Sequence, residues 1–202
     1  MADDARAVVL ARIRAAAPAG PIAVPRAYDR QPRSGSPDVD TFAESVAEYR
    51  ARVHRIDRSE ISATVAALVG DGTAVIPRDL PQSWVGTLRT IVDDPPLTVD
   101  ELDRAQAVVT GCAVGIAVTG TIVLDAGAAQ GRRAITLVPD HHICVIGSSQ
   151  IVDTVPQAFA TLDPLRPLTF ISGPSATSDI ELQRVEGVHG PRTLDVLIVR
   201  DL

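Results

Sequence analysis

"AVVTGCAVGIAVTGTIVL", residues 107–124, is uncharged over a length that would span a bilayer as a helix, so its reading decides the fold. Gly111, Gly115 and Gly120 interrupt it together with three threonines, and β-branched residues dominate its apolar positions. Two buried strands joined by a glycine-containing turn account for this pattern better than a membrane helix does. Further strand-like runs follow at 134–138, 142–146, Leu168–Ser172 and Leu194–Arg200, with a helix near 153–162; within the quoted stretch the strands fall at 106–110 and 116–124. On the upstream side, Ser59 can cap a helix running to Leu68 or Val69 and closed by Gly70. Thr73–Ile76 reads as a strand ended by Pro77, and Leu80–Val92 as a helix that packs Trp84. Thr98 and Glu101 have capping-box spacing for a short helix into Arg104. Strands interleaved with helices predict a layered α/β domain with a largely parallel sheet, and the close runs between 106 and 146 predict inserted hairpins.

Before residue 59 the texture is different. Ala5, Val9, Ile13 and Ala16 fall at helical spacing with arginines between them. Residues 17–38 then carry five prolines (Pro18, Pro21, Pro25, Pro32, Pro37) beside Arg26, Arg30 and Arg33, the composition of an extended arm. Val39, Phe42, Val46, Tyr49, Val53 and Ile56 alternate three- and four-residue steps, which predicts an amphipathic helix. The chain is therefore expected to divide into residues 1–58, helix, arm and helix, and residues 59–202, the α/β domain. The arm either packs on its own domain or wraps a second subunit, since the first helix is short to be stable alone.

Composition excludes several functions. Of 202 residues 46% are hydrophobic and 22% charged, ordinary for a folded domain. A net charge of −6 and 3% aromatic residues leave neither a basic footprint nor stacking platforms for nucleic acid. All 19 basic residues are arginine, which excludes a Schiff-base lysine, a P-loop lysine and a lysine general base. Cys112 and Cys144 are isolated thiols, too few for a four-cysteine cluster, so no cofactor is expected in this chain. Two unpaired thiols fit a reduced, cytoplasmic setting. The opening MADDARAVVLARIRAA mixes acids with spaced arginines, unlike a signal peptide.

No GxGxxG, Walker A, GxSxG, HExxH or CxxC pair occurs. Three polar loops remain. In VTGTIVL, Thr119, Gly120 and Thr121 interrupt an apolar strand: the glycine marks either a bulge or the close approach of another group, and the hydroxyls suit an anion or substrate oxygen. In VPDHHICV, Asp140, His141 and His142 read as a solvated turn. Adjacent histidines point to opposite faces of a strand and do not easily share one metal, so no metal site is expected. The third loop, FISGPSATSDIELQRVEGVHGP (170–191), follows a strand. Gly173 and Pro174 mark a turn at its carboxyl end, where ligands bind in open α/β sheets. Ser175, Thr177 and Ser178 are helix-cap residues, and Asp179 and Glu181 suit a first helical turn. His189 lies between Gly187 and Gly190, satisfied by backbone or exchanging a proton with a ligand. Thr119, Gly120, Thr121, Gly173, Ser175, Thr177, Ser178, Asp179, His189 and Gly190 are therefore the candidate ligand-binding residues, expected to converge on one small-anion pocket.

Three segments carry a family resemblance: GIAVTGTIVL (115–124), GRRAITLVPDHHICVI (131–146) and TFISGPSATSDIELQRVEGVHGPRTLDVLIV (169–199). Over roughly residues 39–202 the chain resembles the LUD-domain family in its LutC/YkgG branch. The resemblance implies a Rossmann-like layered sandwich of the NagB/RpiA/CoA transferase-like type. It also implies a role in oxidising L-lactate to pyruvate beside iron–sulfur partner subunits, which would hold the clusters. A homo-oligomer is compatible with it, and a stand-alone enzyme on a phosphorylated or CoA-linked metabolite or a ligand-binding regulator are the other functions weighed. Val118 stands where many relatives have Glu, and Ala176 where many have Arg, so no role of those side chains carries over. The family supplies no catalytic set to transfer.

Overall fold

The computed structural model describes residues 2–16, 24–25, 38–177, 185–186, 190–200 and 202. Its elements begin with α1 (Ala2–Ala16), α2 (Val39–Glu48), β1 (Arg52–Asp57), α3 (Ile61–Val69), β2 (Ala74–Ile76) and α4 (Gln82–Val85). There follow β3 (Thr90–Val92), α5 (Val99–Asp103), β4 (Ala107–Thr110), β5 (Val114–Ile116), β6 (Thr121–Leu124) and β7 (His141–Gly147). The chain ends with β8 (Ile151–Val152), α6 (Val155–Thr161), β9 (Thr169–Ile171), β10 (Ala176–Thr177), β11 (Val185–Glu186) and β12 (Thr193–Arg200).

Six strands form one sheet in the order β1-β12-β7-β4-β2-β3, and every adjacent pair is parallel. A second sheet, β8-β5-β6-β9, is antiparallel except where β8 meets β5. The uncharged stretch 107–124 thus supplies a central strand of the large sheet, then a hairpin of the small one turned through a 3-10 segment at Ala117–Thr119. Among the described residues no helix is long and apolar enough to cross a membrane.

Parallel strands covered on both faces need near-continuous apolar sequence, and Val196-Leu197-Ile198-Val199 supplies it. Leu197 and Val199 join Ile143 and Val145 under Ile61 and Val65 of α3 and Trp84 of α4. Val196 and Ile198 join Cys144 and Ile146 on the other face, under Phe42 and Val46 of α2 and Ile122 of the small sheet. The result is a layered α/β sandwich: α3 and α4, then the large sheet, then α2 and the small sheet.

The structure departs from the sequence expectations in several places. The stripe 39–56 is not one helix: α2 stops at Glu48, Arg50 turns with φ 67°, and β1 begins at Arg52. Val53 and Ile56 then pack on opposite faces of the large sheet, which one helical stripe cannot do. The packed body consequently includes α2 and β1. The helix expected over Leu80–Val92 is α4 alone, stopped by Gly86 at φ 54°, because Thr90–Val92 pairs with β2 instead. The run 134–138 is a 3-10 turn, Arg133–Thr136, that lays Ala134, Ile135 and Val138 on Leu102 and Val108. His141 and His142 open β7 and are buried, not a solvated turn. Ala176 and Thr177 form a ladder with Val185 and Glu186 rather than the start of a helix. The expected arm falls almost wholly outside the described residues.

Candidate functional site

Helix α2 is the floor on which the candidate loops meet. Asp38 caps it, its carboxylate accepting from Thr41 N at 2.8 Å and from Thr41 Oγ1 at 2.7 Å, which holds Asp38 below its ordinary value. Against the other end of α2 lie two glycines in left-handed conformation. Gly120, at φ 55°, has no room for a side chain: a Cβ would stand 2.5 Å from the Ser45 carbonyl carbon. Gly173, at φ 85°, would place one 2.6 Å from the Tyr49 carbonyl oxygen. Both glycines permit close backbone approach, and the backbone approached is that of α2 and its C-terminal cap.

This approach brings the threonine turn beside the strand-end turn. Thr119 Oγ1 and Thr121 Oγ1 are 2.8 Å apart, and Thr121 Oγ1 is 2.8 Å from Ser172 Oγ. Ser175 N donates to Pro191 O at 2.8 Å, tying the turn to the segment that leads into β12. A pocket of about 140 Å³ opens here, walled by Ser172, Gly173, Pro174, Ser175, Gly190 and Pro191. Phe170, Ile171, Leu194, His142, Arg133 and Thr136 line it too.

Sequence reasoning passed over Arg133 and Thr136 and placed His142 in a solvated turn. Arg133 Nη1 donates to Thr136 O at 2.9 Å and to Thr136 Oγ1 at 3.1 Å, and burial pulls its value down from the ordinary one. An arginine remains charged regardless. His142 pairs through Nε2 with Thr110 Oγ1 at 2.8 Å. Burial, then the nearby His141 and Arg133, push His142 down to about 3, so it is neutral at physiological pH. The available signal was GRRAITL: two adjacent arginines before an apolar run, of which Arg132 is committed to Asp93 at 2.7 Å and Arg133 is not.

His141 faces the opposite side of the sheet, as neighbouring strand residues must. There Asp195 is wholly buried and accepts from His141 Nε2 and His54 Nε2, each at 2.6 Å, and from Arg52 Nε at 3.1 Å. Burial raises the Asp195 value, but the three donors outweigh it and bring the carboxyl down to about 2. The four side chains staple the amino ends of β1, β12 and β7 together.

Of the ten candidate residues, the structure places Thr119 and Thr121 in the hydroxyl chain to Ser172, and Gly173, Ser175 and Gly190 on the pocket wall. Gly120 faces α2. Thr177 lies in β10 as backbone. Ser178, Asp179 and His189 lie outside the described residues. The pocket itself sits at the amino ends of β7 and β12, not at carboxyl ends of the parallel strands, because β9 belongs to the antiparallel small sheet. At the carboxyl ends of β1 and β12 lies a larger cavity of about 340 Å³ lined by Arg55, Asp57, Glu60, Ser148 and Arg200. Its arginines already face carboxylates, Arg55 pairing with Asp40 and Arg200 with Asp57. Among the described residues no group of three or more His, Cys, Asp or Glu is arranged to hold a metal.

Comparison with known proteins places this architecture. Residues 98–199 match the LUD domain family. The chain is 45% identical over 192 residues to lactate utilization protein C of Deinococcus radiodurans, covering 92% of this chain and 91% of that one. It is 31% identical over 158 residues to lactate utilization protein C of Geobacillus kaustophilus, covering 67% of this chain and 65% of the relative. A crystal structure of a DUF162 family protein from Deinococcus radiodurans aligns with a TM-score of 0.70 at 40% identity, covering 80% of this chain and 95% of that one. The chain belongs to the LUD domain family.

Proposed function

We propose that the chain serves lactate utilization as a subunit of an iron–sulfur system that oxidises L-lactate to pyruvate in a reducing cytoplasm. It binds a small anionic ligand and leaves electron transfer to partner subunits. The observation that carries this reading is the 45% identity, over nearly the whole of both chains, to a protein named for lactate utilization. Oxidation of lactate releases two electrons and two protons, so it needs an electron acceptor, normally a cofactor.

The chain's own thiols support an acceptor held elsewhere. Cys112 and Cys144 are both buried in the core beneath α2. The neighbouring Cys144 thiol, and then burial, hold Cys112 well above the ordinary thiol value. A thiolate, not a thiol, ligates iron. These two side chains act as small core hydrophobes.

The test is genetic and biochemical together. Deleting the gene is expected to abolish growth on L-lactate while leaving growth on pyruvate, and the tagged chain is expected to bring down cysteine-rich partners. Lactate oxidation then requires the partners with this chain added. Growth on L-lactate at the parental rate without the gene would overturn the role. A visible flavin or cluster spectrum in the chain purified alone would overturn the non-redox assignment.

A further inference from the structure

We propose that the pocket under the Gly173–Ser175 turn binds a short monocarboxylate, with the carboxylate on Arg133 and the alkyl end against Phe170 and Leu194. The proposal deepens the lactate-utilization reading and rests on it only for the choice of probes.

Four observations converge on this ligand class. Arg133 is the only charged side chain among the described residues that line the pocket. Its Nη1 is committed to Thr136, which leaves the Nε–Nη2 edge without a protein partner among the described residues. Two parallel N–H groups on one edge match the two oxygens of a carboxylate.

Second, the described residues that line the pocket supply one positive charge. His142, the other basic side chain on the wall, is fully buried and neutral, bonded through Nε2 to Thr110. One guanidinium balances one carboxylate. A phosphoryl group carries about −1.5 to −2 at neutral pH and would keep uncompensated charge in a half-buried site.

Third, the cavity of about 140 Å³ is small. Sites for drug-sized ligands run from about 300 to 1,000 Å³, so the space among these described residues suits a group of few heavy atoms. Fourth, Phe170 and Leu194 give the lining an apolar part and Ser172 gives it a hydroxyl. A short alkyl chain bearing one hydroxyl or oxo group satisfies both surfaces.

The experiment titrates the full-length purified chain with L-lactate, pyruvate and inorganic phosphate, read by calorimetry and by thermal melting. Lactate or pyruvate is expected to bind saturably, and phosphate at least tenfold more weakly. Arg133→Gln should weaken the carboxylate at least tenfold in a chain that still folds cooperatively, with the ligand-free melting temperature lowered only by the loss of the Arg133 bonds to Thr136. Arg133→Lys should recover part of that loss, keeping the charge but not the paired donors.

No saturable carboxylate binding by the folded chain would overturn the proposal, as would full binding by Arg133→Gln. Equal or tighter binding of phosphate would replace the ligand class. If binding fails while growth on L-lactate still needs the gene, the proposal falls and the role in lactate utilization stands. If binding holds while growth is independent of the gene, that role falls and the pocket assignment stands.

Discussion

Asp195 interrupts a strand that is otherwise apolar and buried from Leu194 to Val199, and it has no exposed surface. A lone carboxylate there would be costly; three donors from β1 and β7 make it tolerable. Asp195→Asn removes the charge but leaves His54 and Arg52 partly exposed to water, so the loss belongs near the low end for a broken buried pair. Chemical unfolding should show about 3 kcal/mol. His142 gives the complementary effect on the other face. Its value is about 3 in the folded chain and about 6.5 when unfolded, so between these limits the unfolded state binds more protons. Stability therefore falls as pH drops from about 6.5 to about 3, by at most about 1.4 kcal/mol per pH unit. Asp195, with its lowered value of about 2, supplies stability that is present above about 3.9 and is lost as pH falls through about 2. Urea midpoints measured from pH 7 to pH 4 should decline in the parent and decline less in His142→Asn. A parallel decline in both would assign the slope to other groups.

Helix α2 shows how much of the fold and site was legible and where reading stopped. Phe42 and Val46 announced a buried helical face, and both are fully buried. The periodicity continued through Val53 and Ile56 only because a strand packed on both faces also carries apolar residues three apart; nothing local marked Arg50 as the turn. Pairing with β12 decides that segment, and pairing is a tertiary property. Thr90–Val92 and Ala176–Thr177 were missed for the same reason. TGT and GPS were legible as special turns, yet the group that approaches Gly120 and Gly173 is the backbone of α2, invisible from either motif. Arg133 was overlooked because only the folded chain distinguishes it from Arg132. Two substitutions test the floor. Phe42→Ala should cost about 3–5 kcal/mol through the cavity it leaves. Gly120→Ala should cost about 2–4 kcal/mol, combining overpacking on Ser45 with a left-handed alanine. If unfolding shows Gly120→Ala to be neutral, α2 does not sit this tightly on the turn.

At the scale of the molecule, the body and the N-terminal helix are unlike in burial. The two main cores draw on α2 and everything after it, whereas residues 5–16 of α1 are exposed throughout, Val9 by 54% and Ile13 by 59%. An amphipathic helix that buries nothing contributes little to the stability of its own fold. Its apolar residues still cost solvation, which a subunit contact would relieve. Removing residues 2–36 is the informative truncation, because it keeps Asp38, the residue that caps α2 through Thr41. Thermal unfolding of the truncated chain should match the full chain to within about 1 kcal/mol, since no core side chain among the described residues is lost. Its mass in solution, or its capture of partner subunits, should fall if α1 and the arm make subunit contacts. The two measurements separate the possibilities. A large drop in stability places α1 on its own body. Unchanged stability with unchanged mass and unchanged capture removes the contact role altogether.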